Sequence, residues 1–247
     1  MGLFDKKYCS ICGDKIGLLG NRKLEDGNCC KNCAAKLSPW FSDRRHSTVE
    51  DIKGQLAYRE ANKAAVAAFH TTRTLGNGTK VLIDEDAGKF MVTSARDLAS
   101  ANPDVLSYGD VTGCNLDVQE SRREIKRKDH EGKEVSYIPP HYTYEYDFSI
   151  IINVNNPYFD EIKFRLNSSS IDSQMVIGSA APNMSMNVEY QECRRMGEEI
   201  RDTLLQVRKD VRDSFAPKTA VICPGCGAST VGDANGRCEY CGSALKP

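Results

Sequence analysis

The residues best equipped for chemistry are eight cysteines in two sets of four, one near each end of the chain. Cys9 and Cys12 are answered across seventeen residues by Cys30 and Cys33, and Cys223 and Cys226 across eleven by Cys238 and Cys241. Two thiolates three positions apart reach one ion when the chain between them turns sharply. Two such pairs close a four-sulfur tetrahedron, and these spacings suit zinc. Gly13, Gly227 and Gly242 each follow the second cysteine of a pair, where a positive φ lets backbone N–H groups aim at sulfur. Cys33 is followed instead by Ala34-Ala35-Lys36-Leu37, good helix formers that stop before Pro39. The front set therefore reads as a treble-clef or zinc-ribbon-like module, and the back set as a compact zinc ribbon.

Ligand type separates structural from catalytic metal. A catalytic zinc keeps a position open for water, whereas four cysteines close the sphere. Both sites are expected to be structural, holding two zinc ions, with iron in a rubredoxin-like site as the alternative for the same all-thiolate geometry. Zinc would supply on the order of 10–16 kcal/mol of apparent binding energy per site, which such small modules need in order to fold.

Of the eleven cysteines, Cys29, Cys114 and Cys193 remain, an odd and scattered remainder that does not make a disulfide framework. With no apolar signal segment in Met1–Lys6 and no run near the ~20 apolar residues of a membrane span, a cytoplasmic location is expected. The net charge is −1, so no strong field favours a polyanion. The densest basic run, Arg122, Arg123, Lys126, Arg127 and Lys128, is interleaved with Glu120, Glu124, Asp129 and Glu131, as on a solvated edge strand. His46, His70, His130 and His141 lie apart, and no phosphate loop or nucleophile elbow is present. Gly109–Cys114 reads as a turn between strands. No catalytic or cofactor-binding residue is assigned and no enzyme is expected. The sequence points to a protein-interaction or adaptor module, the alternative being a nucleic-acid-binding zinc-ribbon protein.

The elements that must carry these modules follow from periodicity, and the fold class is α+β. The expected parts are residues 1–45, the first metal domain; 47–72, a connector helix; 78–214, a β-rich domain with a closing helix; and 220–247, the second zinc ribbon. Ser47-Thr48-Val49-Glu50 has the form of a capping box. Val49, Ile52 and Leu56 mark one face, and Ala61, Ala64, Ala65, Ala67 and Ala68 leave little to bury. Trp40 and Phe41 are expected to seat the metal domain on this helix. Gly76-Asn77-Gly78 then turns the chain.

In the central domain Tyr142, Tyr144, Tyr146, Phe148, Ile150, Ile152 and Val154 occupy every second position, one face of a long strand. Asn155-Asn156-Pro157 turns it onto an antiparallel neighbour bearing Ile162, Phe164 and Leu166. Residues 81–83 and 90–92 flank one hairpin turn; a charged strand at 118–128 and residues 134–138 flank another at Asp129–Gly132. Tyr190, Cys193, Gly197, Ile200, Leu204, Val207 and Val211 form one helical stripe, expected to pack on its own sheet rather than to dimerise. Six to seven antiparallel strands closed by one amphipathic helix are similar in order to a pleckstrin-homology-like domain.

The front fifty residues also resemble a family. The four cysteines, Gly17-Leu18-Leu19-Gly20, Lys23-Leu24, Asp26-Gly27 and Lys36-Leu37-Ser38-Pro39 look like the uncharacterised bacterial family known as domain of unknown function 4428. In that pattern the third ligand stands four positions after the Asp of the Asp-Gly pair, which implies Cys30 and not Cys29. The resemblance implies a metal-binding fold and brings no activity with it.

Overall fold

The front of the chain folds as two short hairpins and one helical turn. β1 (Lys7–Tyr8) pairs with β2 (Lys15–Ile16), β3 (Asn21–Lys23) pairs with β4 (Asn28–Cys30), and α1 (Lys31–Ala34) follows at once. The computed structural model describes residues 7–215, 220–231 and 237–245, with side chains described through residue 209 of the long C-terminal helix. Met1–Lys6, Asp233, Lys246 and the side chain of Val211 lie outside the described residues. The chain divides into two compact units, Met1–Arg208 and Lys209–Pro247.

α2 spans Val49–Ala68 and is capped by Thr48, whose side chain accepts from the Asp51 N–H while the Asp51 carboxylate accepts from the Thr48 N–H at 2.8 Å. The capping box is thus one residue later than Ser47–Glu50. Ser47 ends a preceding 3-10 turn and donates its hydroxyl to the Asp43 carbonyl at 2.9 Å, so it is not free to cap. The helix ends at Phe69, short of residue 72. Ala61, Ala64, Ala67 and Ala68 are exposed as expected. Phe41, Val49 and Leu56 pack against Leu24, Leu37 and Ile52, so Phe41 does seat the front module on α2. Trp40 lies apart from this cluster, in a cleft with Asn156–Glu161.

The buried face of α2 is largely polar. Ile52, Gln55, Arg59, Asn62 and Val66 step by three and four, and all are buried. Arg59 Nη1 donates to Asp104 Oδ1 at 2.7 Å, and Ser38 Oγ donates to Asp104 Oδ2 at 2.7 Å. Asn62 donates to the Asn102 side chain and the Pro103 carbonyl at 2.8 Å, and accepts from the Val105 N–H at 3.0 Å. These bonds bind α2 to the loop that leads from α3 (Leu98–Ala101) into the sheet.

That sheet is β5 (Arg73–Leu75), β6 (Lys80–Asp84), β7 (Lys89–Thr93) and β8 (Leu106–Ser107), antiparallel in that order. β6 and β7 form the expected hairpin. β5 is an addition, too short for alternation to reveal. Val81, Leu82 and Ile83 are all buried although neighbours on a strand point to opposite faces, so both faces of the sheet are covered.

β9 (Val111–Lys128) and β10 (Glu134–Val154) form a long antiparallel ribbon, and β11 (Glu161–Arg165), β12 (Ile171–Asp172) and β13 (Val176–Ile177) line the other edge of β10. The alternation is confirmed: Tyr144, Tyr146, Phe148, Ile150, Ile152 and Val154 are buried, with Ile162 and Phe164 beside them. β9 begins at Val111 rather than 118. Gly113 and Cys114 are therefore ladder residues opposite Asn153 and Ile152, and the predicted Gly109–Cys114 turn ends at Asp110. Residues 134–138 are not a separate strand either. Pro139 and Pro140 lack N–H donors and fall within the register shift between Ser136 and His141, where no ladder partner is required. Among the described residues eight strands, β6–β13, fall within 78–214 where six to seven were expected, and β5 precedes them.

α4 (Val188–Phe215) packs on this second sheet, with Tyr190 and Cys193 against Tyr144, Tyr146 and Phe148. Gly197 is where the helix comes closest: a Cβ there would lie 2.5 Å from Leu116 Cδ1 and 3.1 Å from Leu166 Cδ1. The helix therefore packs on its own sheet, as expected from its stripe. The fold is mixed α and β with antiparallel sheets, as expected, and the pleckstrin-homology-like expectation rests on element order alone. Asp104→Ala should destabilise the protein by about 3–5 kcal/mol, because it leaves the buried Arg59 guanidinium unpaired; Ser38→Ala should cost only about 1 kcal/mol. Denaturant unfolding of both variants checks the ranking.

Candidate metal centres

Three of the four Cys-x-x-Cys turns are built by the same backbone bonds. Gly13, Gly227 and Gly242 donate to the carbonyls of Cys9, Cys223 and Cys238 at 2.8–2.9 Å, and the N–H groups of those cysteines donate to Asp14, Ala228 and Ser243 carbonyls at 2.8–2.9 Å. The three glycines have φ of 77°, 75° and 70°, which a side chain would resist. The fourth turn differs as predicted. Cys30 caps α1, its sulfur accepting from the Cys33 N–H at 3.4 Å.

Tertiary structure then brings the turns together. Ser10 and Asn28 exchange backbone and side-chain bonds at 2.7 and 3.1 Å, drawing the first turn onto β4. The sulfurs of Cys9, Cys12, Cys30 and Cys33 lie within 4.8 Å of one another, and so do those of Cys223, Cys226, Cys238 and Cys241. All are free thiols. The close approaches are 3.8 Å for Cys12–Cys30, 3.5 Å for Cys223–Cys241 and 3.7 Å for Cys226–Cys238. A tetrahedron with Zn–S of about 2.3 Å has edges of about 3.8 Å, so both sets fit a tetrahedral ion of zinc size. All eight predicted ligand residues fall in these two clusters.

The surroundings polarise the thiols unequally. Burial opposes ionisation of Cys9, but N–H groups of Cys12, Cys30 and Ile11 at its sulfur together bring its pKa down to about 6. Burial and then the other three sulfurs push Cys33 up. In the second cluster the Ser243 hydroxyl and N–H bring Cys241 down to about 6. Cys226 is favoured by the Ala228 N–H, yet the crowd of Cys241, Cys223 and Cys238 pushes it up to about 12. Thiols this close cannot all ionise without a cation among them, and a metal that binds must displace their remaining protons. Bound at either cluster, a zinc ion would act as a structural cross-link with no coordination position left for water.

Residues outside the clusters complete the sites. Cys30 N–H reaches Cys9 Sγ at 3.3 Å, Gly225 N–H reaches Cys223 Sγ at 3.3 Å, and Ser243 Oγ lies 3.3 Å from Cys241 Sγ. Gly225 and Ser243 were not singled out from sequence, where only their places beside the cysteines mark them. Cys29 is fully buried, donates to the Cys30 carbonyl at 3.4 Å, and is held by burial at a pKa of about 11. It belongs to the core of the module and not to the cluster. Cys114 is buried and pushed up to about 12 by desolvation, the reverse of an activated nucleophile.

Metal analysis of the purified chain should give two ions. Cys33→Ser should reduce this to one, while Cys29→Ser should leave both in place and cost stability only through packing.

Among comparisons with known proteins, no curated protein and no solved structure matches the chain. Residues 7–55, which hold the first cysteine cluster and the start of α2, match the family described as domain of unknown function DUF4428.

Proposed function

We propose that the chain is a non-enzymatic, zinc-stabilised module that binds protein partners along the β9–β10 ribbon. The observation that carries this reading is the open edge of β9. Among the described residues β9 pairs only with β10, so along Val111–Lys128 the alternate main-chain N–H and C=O groups that point away from β10 have no ladder partner. Such an edge accepts an extended segment of another chain by strand addition.

The face beside that edge supports the same reading. Toward the base, the solvent side of the sheet carries cross-strand ion pairs, Lys163 with Asp117, Arg165 with Asp147 and Arg123 with Glu145. Toward the tip it changes character. Ile125, His141 and Ile177 stand directly across from one another, Tyr137 stacks on His141 with centroids 4.1 Å apart, and Ile138 is 97 % exposed. None of residues 119–140 is buried. A half-apolar, aromatic surface beside free main-chain groups suits a peptide segment better than a polyanion. Arg127, 6.0 Å above the Tyr137 ring, is the feature that favours nucleic acid as the second reading.

Capture on the immobilised full chain should recover protein after nuclease treatment, with slowed amide exchange over 111–128 in the complex. Ile125→Asp should weaken capture at least about tenfold, the loss of one buried apolar contact. Recovery of nucleic acid alone, with affinity falling as salt rises, would select the second reading.

A further inference from the structure

The turn between β2 and β3 ends in two uncovered leucines. Leu18 is 94 % exposed and Leu19 88 %. They occupy the central positions of a four-residue turn closed by Gly20 N–H donating to the Gly17 carbonyl at 3.0 Å, and Arg22 braces it by donating to the Leu19 carbonyl at 3.3 Å. The leucines are thus held outward by formed structure, while Ile16 beside them is buried in the module core. Single exposed leucines are ordinary on soluble proteins; an adjacent pair at the apex of a braced turn is a small apolar wedge.

Cations surround the wedge. Between residues 7 and 23 stand Lys7, Lys15, Arg22 and Lys23 against one carboxylate, Asp14. Register places Lys7 opposite Ile16 and Tyr8, itself 55 % exposed, opposite Lys15. A cleft of about 810 Å³ next to the turn is lined by Arg22, Lys23, Arg44, Arg45 and His46, with Glu25 as the acidic residue among its lining. His46 is paired with Asp43 at 2.6 Å, whereas Lys23 and Arg45 make no ion pair among the described residues. A four-thiolate zinc centre carries about two negative charges; with Asp14 and Glu25 that makes about four against the six cations, so the surface keeps a positive excess.

We propose that the Leu18–Leu19 turn inserts into an anionic lipid bilayer, with the basic rim and cleft resting on lipid phosphates. Interfacial binding combines a shallow apolar insertion with attraction of Lys and Arg to an anionic surface, and this surface offers both. A protein partner fits it less well. Two side chains on a convex tip supply little of the ~1,000 Å² that a specific protein interface needs. The inference is independent of the ribbon reading, since the two surfaces share no residue.

The test is co-sedimentation of the full, metal-loaded chain with phosphatidylcholine vesicles, with and without phosphatidylserine, across salt. Binding to the phosphatidylserine vesicles alone, weakening as salt rises, is expected. Leu18→Ser with Leu19→Ser should lower the partition at least about tenfold, and Lys23→Glu with Arg45→Glu by a similar factor, with two metal ions per chain retained in both variants. A wild-type chain that stays in the supernatant with phosphatidylserine vesicles at low salt would overturn the proposal. So would a leucine variant that sediments as the wild type does.

Discussion

The Asp104 carboxylate is the junction on which the larger unit depends. It is buried, and its two oxygens are taken by different segments: Oδ1 by Arg59 of the connector helix and Oδ2 by Ser38 at the exit of the first metal module. A buried charge is tolerated only while its partners stay in place. Helix, module exit and sheet loop must therefore be positioned together: separating helix from loop leaves a buried charge unpaired, and moving the module exit leaves one carboxylate oxygen without its donor. Asn62 and Asn102 extend the same constraint one turn along the helix. The network ties the exit of the first metal module, α2 and the loop into the first sheet together within one compact unit, although the sequence reads as a string of parts.

The metal clusters work on a different scale. Three of the four knuckles are assembled by backbone bonds between residues four and five apart and the fourth by the start of α1, so each is encoded almost wholly by its own few residues. Bringing two knuckles together closes a loop of seventeen or eleven intervening residues, and neither module has enough apolar surface to hold that loop by itself. A bound ion would supply the missing interaction energy. In the first module the ion would be assisted by packing, because Leu24, Cys29 and Leu37 gather with Ile52 of α2.

Rigid anchoring gives the surface features their meaning. The β9–β10 ribbon is fixed at its base by α4, through Tyr190 against Tyr146 and Phe148 at about 5 Å. Its outer half carries no buried residue. The leucine turn is fixed by its closing hydrogen bond and by the metal module behind it. In both places side chains that would ordinarily seek burial are presented by well-formed backbone, and the order of the presenting element limits the entropy lost when a partner covers them.

Short-range pattern determined a definite part of this protein from the sequence: the two cysteine clusters, the glycine knuckles, the alternating strand of Tyr142–Val154 and the stripe of α4 all depend on residues within a few positions of one another. What tertiary structure decided depends on distant partners. On sequence α2 is marked by Val49, Ile52 and Leu56, and Gln55, Arg59 and Asn62 are not singled out, because their polar type carries no local signal of burial; only the approach of Asp104 and Asn102, some forty residues away, gives Arg59 and Asn62 their buried partners. Residues 134–138 and the strand of Tyr142–Val154 read as separate elements, and only the pairing with β9 shows one strand with a register shift at Pro139 and Pro140. The outer half of β9 was legible as an edge from its interleaved charges at 120–131, but that the same edge begins at Val111 was decided by tertiary structure, for periodicity reports which face of a strand is buried and is silent on whether a neighbour lies beside it.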